Sequence, residues 1–269
     1  MGKIVDKNTH TPVQYVNIWW ENTTKGTYSN SNGTFSISRI ENGTLALSYL
    51  GYLNFKYNCC DYIEDSLLIE LTPSPRVLNE ITIKPATKPK VNKYGFVQKS
   101  LIPNWFSAMI TKEQMLHLKF TLENPKAKEG FVHSINFRIK DIQPKGKKLI
   151  LTVYFSDITD DTKILNSVPI HLRISMKESQ PFFSADISEY EIPFSKEGLN
   201  MHFVLNGLVN EIEGELRPGI VDFHYSQEKD KKQMTFMRYS PNVSWNKSED
   251  FFYDNGHFDN LNVWLEVEQ

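Results

Sequence analysis

The sequence predicts an all-β protein of two sandwich domains, an immunoglobulin- or transthyretin-like sandwich followed by a larger, jelly-roll-like sandwich. Three observations predict this class. Apolar and polar residues alternate in short runs along most of the chain, turn residues separate the runs at about 8–12 residues, and no long run has helical spacing. The 269 residues, 40% of them hydrophobic and 13% aromatic, are enough for two cores.

The first domain is predicted over residues 1–84. Turns at Gly26, Gly33 and Gly43 separate its strands, and a positive φ in tight turns favours glycine. The alternation places Trp19 on the face that points away from the core. The residues predicted to face that core are Val16, Ile18 and Trp20, then Phe35 and Ile37, then Leu45, Leu47 and Tyr49, then Leu67, Ile69 and Leu71, and finally Ile81 and Ile83.

Ordered segments of residues 2–84 resemble the carboxypeptidase-regulatory-like, or transthyretin-like, domain. That domain is often found at the amino end of TonB-dependent outer-membrane receptors and related envelope proteins. The resemblance implies a non-catalytic β-sandwich in the bacterial envelope, either periplasmic or at the cell surface. Because the opening strand begins at Gly2, we expect that a signal peptide has been removed. The segments that carry the resemblance are 2–6, 11–13, 16–18, 25–29, 32–37, 47–52 and 78–83.

Residues 85–97 are rich in Pro and Lys and are predicted to form an extended linker. The remaining residues, 98–269, alternate again and predict the second sandwich, whose long strands and long connections favour a jelly roll. They are too few for a transporter barrel, so receptor function does not follow from the resemblance. The clearest strands lie around Ile135–Ile139, Leu149–Phe155, Val168–Met176, Leu199–Leu205 and Leu261–Val267.

Charge and motif content exclude several classes of function. With 30 basic against 32 acidic residues the chain has no positive field for nucleic acid, and it has no apolar run that could form a transmembrane segment. The only two cysteines, Cys59 and Cys60, are adjacent and form no long-range staple. No zinc-peptidase, serine-hydrolase or nucleotide-binding motif is present. The sequence therefore predicts a non-enzymatic accessory or binding protein without a cofactor, whose partner is a glycan or an envelope protein.

The first candidate site is aromatic. Trp245, Phe252, Tyr253 and His257 lie in a segment that mixes aromatic and polar residues without clean alternation. Such loops can form a stacking platform for sugars. The alternative is that these side chains fold under the loop and cap the core. Trp19, Trp105 and Phe106 are further candidate exposed aromatic residues.

The second candidate is a calcium site at Asp157, Asp160 and Asp161, which crowd one predicted turn. Carboxylate oxygens suit calcium, but clustered Asp residues are also ordinary in solvated turns. The site would hold a structural ion.

A hydrolase whose site is assembled from separate strands of the second sandwich is the alternative function. Its nameable residues are the Asp157 loop together with Asp222 and His224, which share one strand face. The alternation predicts that His171 and His202 point to solvent and that His133 is half-buried. A third hypothesis is that the chain is an interaction module whose open sheet edge pairs with a strand of another envelope protein.

Overall fold

The structure is a computed structural model that describes residues 1–58, 67–74, 90–96, 105–176, 182–210, 215–228, 234–241, 243–247 and 258–269. Regular structure in these residues is almost entirely β-strand, and the one helical element is a short 3₁₀ helix at Ser188–Tyr190. The predicted all-β sandwich class is confirmed. Among the described residues, none belongs to a helix with the length and apolar content to cross a membrane.

The amino-terminal sandwich packs two sheets against each other. A three-stranded sheet has the order β4-β1-β7, and a four-stranded sheet has the order β3-β2-β5-β6. Of the predicted core-facing residues, Ile18, Leu47 and Ile69 are at most 1% exposed in the core between the sheets, Ile37, Tyr49 and Leu67 are partly buried against that core, and Ile81 and Ile83 lie outside the described residues. The strands are β1 (Gly2–Asp6), β2 (Asn17–Trp20), β3 (Gly26–Tyr28), β4 (Thr34–Phe35), β5 (Thr44–Ser48), β6 (Phe55–Asn58) and β7 (Leu67–Leu71).

The three predicted turn glycines differ in their roles. Gly33 has a φ of +73°, as predicted. Gly26 and Gly43 do not have a positive φ, so that prediction is wrong for them. They instead provide space, because a Cβ atom on Gly26 would lie 2.4 Å from the Met115 sulfur and one on Gly43 would lie 2.9 Å from the Trp20 ring.

The carboxy-terminal sandwich contains the remaining strands. They are β8 (Val91–Gly95), β9 (Trp105–Ile110), β10 (Leu116–Glu123), β11 (Gly130–Phe137), β12 (Ile139–Gln143), β13 (Lys148–Asp157), β14 (Ile170–Ile174), β15 (Phe183–Asp186), β16 (Pro193–Phe194), β17 (Gly198–Val209), β18 (Gly219–Glu228), β19 (Thr235–Arg238), β20 (Asn246–Lys247), β21 (Phe258–Leu261) and β22 (Val263–Glu268).

One layer of this sandwich is a six-stranded sheet of order β14-β13-β17-β10-β19-β20. The other layer joins the sheet β15-β11-β22-β8 to the sheet β12-β18-β21. They meet where backbone hydrogen bonds link Arg138 to Asn262, His224 to Arg138 and Asn262 to His224. The apolar faces of the two layers enclose the largest core of the molecule. The jelly-roll connectivity stays a prediction.

The predicted linker contains a strand. Val91–Gly95, placed in the linker from its Pro- and Lys-rich surroundings, forms β8 and pairs antiparallel with β22. Tyr94 and Phe96 are 5% and 6% exposed, so burial of these aromatic rings outweighs the polar composition around them. Residues 75–89 and 97–104 lie outside the described ranges, and the domain boundary at residue 84 stays a prediction.

The two sandwiches pack through the outer faces of two sheets. Trp19 points away from its own core, as predicted, but it is only 9% exposed because Met115 and Val204 of the second sandwich cover it. Backbone pairing continues across the contact, since the Gly26 N–H donates to the Glu113 carbonyl at 2.8 Å. Trp19 is therefore not an exposed aromatic residue. It joins the two sandwiches.

Candidate ligand site between the two sandwiches

The floor of the candidate site is a row of side chains across five strands of the six-stranded sheet. Their register places them side by side on the face opposite the core, with adjacent strands about 4.7–4.9 Å apart. Alternation explains the placement, because each has apolar neighbours on both sides in its strand that point into the core. The row is His171, Thr152, Val204, His117 and Arg238.

The roof comes from the amino-terminal sandwich, and between floor and roof lies a cavity of about 220 Å³. This volume is below the roughly 300–1,000 Å³ of pockets for drug-sized ligands, so the cavity suits a smaller molecule. Aromatic rings and uncharged polar groups predominate in its wall. The roof residues are Tyr15, Asn17, Ser48, Tyr49, Leu50, Gly51, Tyr52 and Asn54.

A hydrogen-bond chain ties roof to floor. Thr152 Oγ1 donates its single proton to Asn206 Oδ1 at 2.6 Å, so it accepts from His171 Nδ1 at 2.9 Å. His171 Nε2 is then the acceptor for the Tyr49 hydroxyl at 2.8 Å. Burial lowers the pKa of His171 to about 4, in agreement with a neutral ring in this chain.

Several buried polar atoms at and beside the cavity have no hydrogen-bond partner among the residues that the structure describes. Both ring nitrogens of His117 are in this state, as are Asn17 Oδ1, Asn206 Nδ2 and Arg238 Nε. His117 is 2% exposed, and burial is the main cause that lowers its pKa well below the usual value. Unpaired buried polar groups are rare, because each costs about 1–3 kcal/mol. Their concentration here is typical of a site that binds a polar molecule.

Arg238 supplies the positive charge of the cavity. Its guanidinium lies 4.2 Å from the ring of Trp245, and its Nη1 donates to the Pro241 carbonyl at a long 3.4 Å. Within the described ranges no carboxylate forms an ion pair with it. The neighbouring cation, Lys119, is paired with Asp161 at 2.8 Å.

The predicted aromatic platform is only partly described. Phe252, Tyr253 and His257 lie outside the described residues. Trp245 is half-buried, and besides Arg238 its ring has the Lys119 ammonium at 5.0 Å. It thus packs against two cations beside the cavity. Sugar stacking on this residue stays a prediction.

The carboxylates of the predicted calcium loop are already bonded within the protein. Asp157 accepts from the Thr159 amide and from Lys163, and these bonds lower its pKa to about 2, the Thr159 amide contributing most. Asp160 accepts from Thr162 at 2.7 Å. Across the part of the chain that the structure describes, no group of three or more His, Cys, Asp or Glu side chains is arranged to hold a metal. Calcium binding at this loop gains no support and stays a prediction.

His171 and His202 do not point to solvent, so that prediction is wrong. His202 is 1% exposed and stacks on Tyr154 with a centroid distance of 4.4 Å, while Trp245 lies 5.6 Å away. The cover is tertiary: these rings and the amino-terminal sandwich close over a sheet face that strand alternation alone assigns to solvent. His133, with its side chain 32% exposed, is half-buried as predicted.

For the hydrolase alternative, the structure shows one group of side chains that the sequence analysis did not identify. Ser156 Oγ lies 2.8 Å from His202 Nε2, and Asp161 Oδ1 lies 3.8 Å from the same nitrogen. A catalytic triad needs the carboxylate on the other ring nitrogen, yet His202 Nδ1 has no hydrogen-bond partner in the described part of the chain and Ser156 is fully buried. The three residues thus form a structural polar cluster.

Asp222 is likewise buried, at 7% exposure, and accepts a hydrogen bond from Ser107 Oγ at 2.6 Å. The backbone of His224 helps to join two sheets of the second sandwich. Both residues thus have structural contacts within the sheet.

Three comparisons relate the chain to known proteins. Structures of infectious bursal disease virus, one of the Gx strain and one of a VP2 subviral particle, are similar at 10% identity, each with a TM-score of 0.24. The matches cover 97% and 95% of this chain but 60% and 61% of the viral chains, and TM-scores this low do not establish a shared fold. No curated protein matches. Residues 1–83 match the family model described as the CarboxypepD_reg-like domain, which confirms the resemblance predicted for residues 2–84.

Proposed function

We propose that this chain is a non-catalytic binding protein of the bacterial envelope whose ligand, a small polar molecule, occupies the cavity between the two sandwiches. The observation that carries the proposal is the set of buried polar atoms at and beside the cavity, those of His117 above all, that have no partner in the described ranges. Ligand pockets combine apolar and aromatic walls with a few such polar groups, which fix the orientation of the ligand. The placement in the envelope rests on the regulatory-like domain of residues 1–83.

Binding is favoured over catalysis by the chemistry of the wall. A hydrolytic site needs a nucleophile and a base within hydrogen-bond reach of each other and of the substrate. The floor histidines His117 and His171 have pKa values that burial lowers, so both are weak bases. The one Ser–His contact between described residues, that of Ser156 and His202, is buried outside the cavity lining.

The proposal predicts that filling the cavity abolishes binding. Ser48→Phe places a ring in the cavity at little structural cost, because the Ser48 hydroxyl has one long contact of 3.5 Å with Asn17. Ser31→Phe, at an exposed turn away from the cavity, is the matched control. Chemical shifts of the ¹⁵N-labelled protein are followed with a panel of monosaccharides, disaccharides and small organic acids.

We expect at least one compound to shift cavity residues saturably in the natural protein and in Ser31→Phe, and to have no effect on folded Ser48→Phe. Binding that survives in Ser48→Phe would place the ligand elsewhere. A panel in which no compound shifts any cavity residue would contradict the proposal.

A further inference from the structure

We propose that the ligand of this cavity is a small anion, a carboxylate or phosphate carried on a sugar-sized body, and that the guanidinium of Arg238 is its receptor. The inference rests on the proposed function and names the chemical class of its ligand.

The wall of the cavity carries positive charge. Among the described residues, the cavity lining includes one arginine and no aspartate or glutamate. Asp6, the carboxylate beside the lining residue Tyr52, accepts from the Tyr52 hydroxyl at 2.9 Å and from two backbone amides at 2.7 and 2.8 Å. Asp161 is paired with Lys119. The cavity therefore has an unbalanced positive charge.

The side chain of Arg238 has the geometry of an anion receptor. A guanidinium has five N–H donors in a planar fork that matches a carboxylate or phosphate, and charge-assisted bonds of this kind are the strongest in proteins. Arg238 uses only part of this capacity among the described residues: Nη1 has a 3.4 Å bond to the Pro241 carbonyl, the side chain also interacts with the Tyr154 hydroxyl, and Nε has no partner. The centroid of the Trp245 ring lies 4.2 Å from the central guanidinium carbon, so a cation–π contact holds the fork beside this ring.

The side chains next to Arg238 complete an anion site. His117 lies directly opposite Arg238 in the register, and its neutral ring has one N–H to donate. Tyr15 and Tyr49 line the roof, and burial raises the pKa of both phenols, so both stay protonated; the Tyr15 hydroxyl can donate to the ligand, whereas the Tyr49 proton is already donated to His171. Their rings offer apolar faces to the body of the ligand. A partly buried arginine that has no ion pair within the described part of the chain gains from an anion beside it.

The test uses two matched pairs of probes, galactose with galacturonate and glucose with glucose 6-phosphate. Within each pair the ring is closely similar and the charge differs. The Arg238 Nε–H resonance of the ¹⁵N-labelled protein reports contact at the receptor itself. We expect at least one acidic probe to shift this resonance saturably and to bind about tenfold or more tightly than its neutral partner, and the two pairs distinguish a carboxylate from a phosphate ligand.

Arg238→Gln removes the charge and should weaken binding of the acidic probe by about 10- to 100-fold, the range expected when a hydrogen-bonded charge is lost. Arg238→Lys retains the charge without the fork and should lie between Gln and the natural protein. Arg39→Gln, an exposed arginine of the amino-terminal sandwich outside the cavity lining, is the control. Thermal unfolding verifies that each variant is folded.

Two outcomes would overturn the inference in distinguishable ways. Equal binding of neutral and acidic partners, unchanged in Arg238→Gln, refutes the anion class and leaves the binding function intact. If neither the four probes nor inorganic phosphate shifts Arg238 or any other cavity residue, the anion class and the proposed function fail together.

Discussion

Both faces of the six-stranded sheet contain fully buried residues, but the inner face is apolar whereas polar side chains are buried on the outer face. On the inner face Leu118 and Phe203 are 0% exposed against the other layer of the sandwich. On the outer face His117 and His202, one position along the same strands, are 2% and 1% exposed. This difference shows that strand alternation predicts which side chains share a face of a sheet. Only the tertiary structure determines what covers each face.

Removal of an inner-face ring should have the largest effect on stability. Phe203→Ala leaves a cavity among fully buried rings, with Phe120 at 5.0 Å and Phe137 at 5.2 Å between centroids. We expect the free energy of unfolding to fall by about 3–5 kcal/mol in urea denaturation. A loss below about 1 kcal/mol would show that this face is not a close-packed core.

Acid should lower the stability of the fold through the buried histidines of the outer face. The folded protein holds His171 with a pKa of about 4, below the usual 6.5, so the unfolded chain takes up a proton first as pH falls. Stability is thus full above about pH 6.5 and declines toward pH 4, by up to about 3 kcal/mol from His171, less to the extent that water reaches the ring. Burial lowers the pKa of His117 and His202 as well, which adds in the same direction.

The measurement is urea denaturation as a function of pH with His171→Gln, which should have a shallower slope between pH 6.5 and 4. His10→Gln is the control, since the His10 side chain is 71% exposed. An unchanged slope in His171→Gln would refute the assignment of this acid sensitivity to the outer face.

The contact between the sandwiches can be tested with Gly26→Ala. The added Cβ atom would lie 2.4 Å from the sulfur of Met115, which is fully buried. We expect a loss of about 1–3 kcal/mol, the usual range for overpacking. Combination with Met115→Ala should cost less than the sum of the two single losses, and strict additivity would mean that the two residues do not press on each other.

The hydrogen bond between roof and floor should have the smallest effect. Tyr49→Phe removes the donor to His171 Nε2 and leaves a half-buried acceptor unpaired, at a cost of about 1–2 kcal/mol. A double-mutant cycle with His171→Gln isolates the pair. A coupling energy near zero would mean that the bond contributes nothing to holding the sandwiches together.

Much of the fold could be predicted from the sequence because period-two alternation reports each strand's own faces. Ile18, Leu47 and Phe203 all lie where it places them. Val91–Gly95 was missed because the nearby prolines and lysines masked a short strand. The cavity could not be predicted, since it needs His117, Arg238 and Tyr49 from distant strands and a second sandwich over the first. The adjacent pair Trp19-Trp20 was the one local sequence signal of the contact between the sandwiches. One of two adjacent rings in a strand must point away from the core, and a large aromatic ring in that position is usually buried against another part of the protein.

The most direct test of the buried polar face is an NMR titration of its histidines. The ring protons of His171, assigned by comparison with His171→Gln, are followed from pH 8 to the lowest pH at which the protein stays folded. The structure predicts a midpoint of about 4 for His171, with His117 and His202 also titrating well below the usual value. A midpoint near 6.5 for His171 would mean that water reaches this ring and would contradict the buried polar contact between the sandwiches.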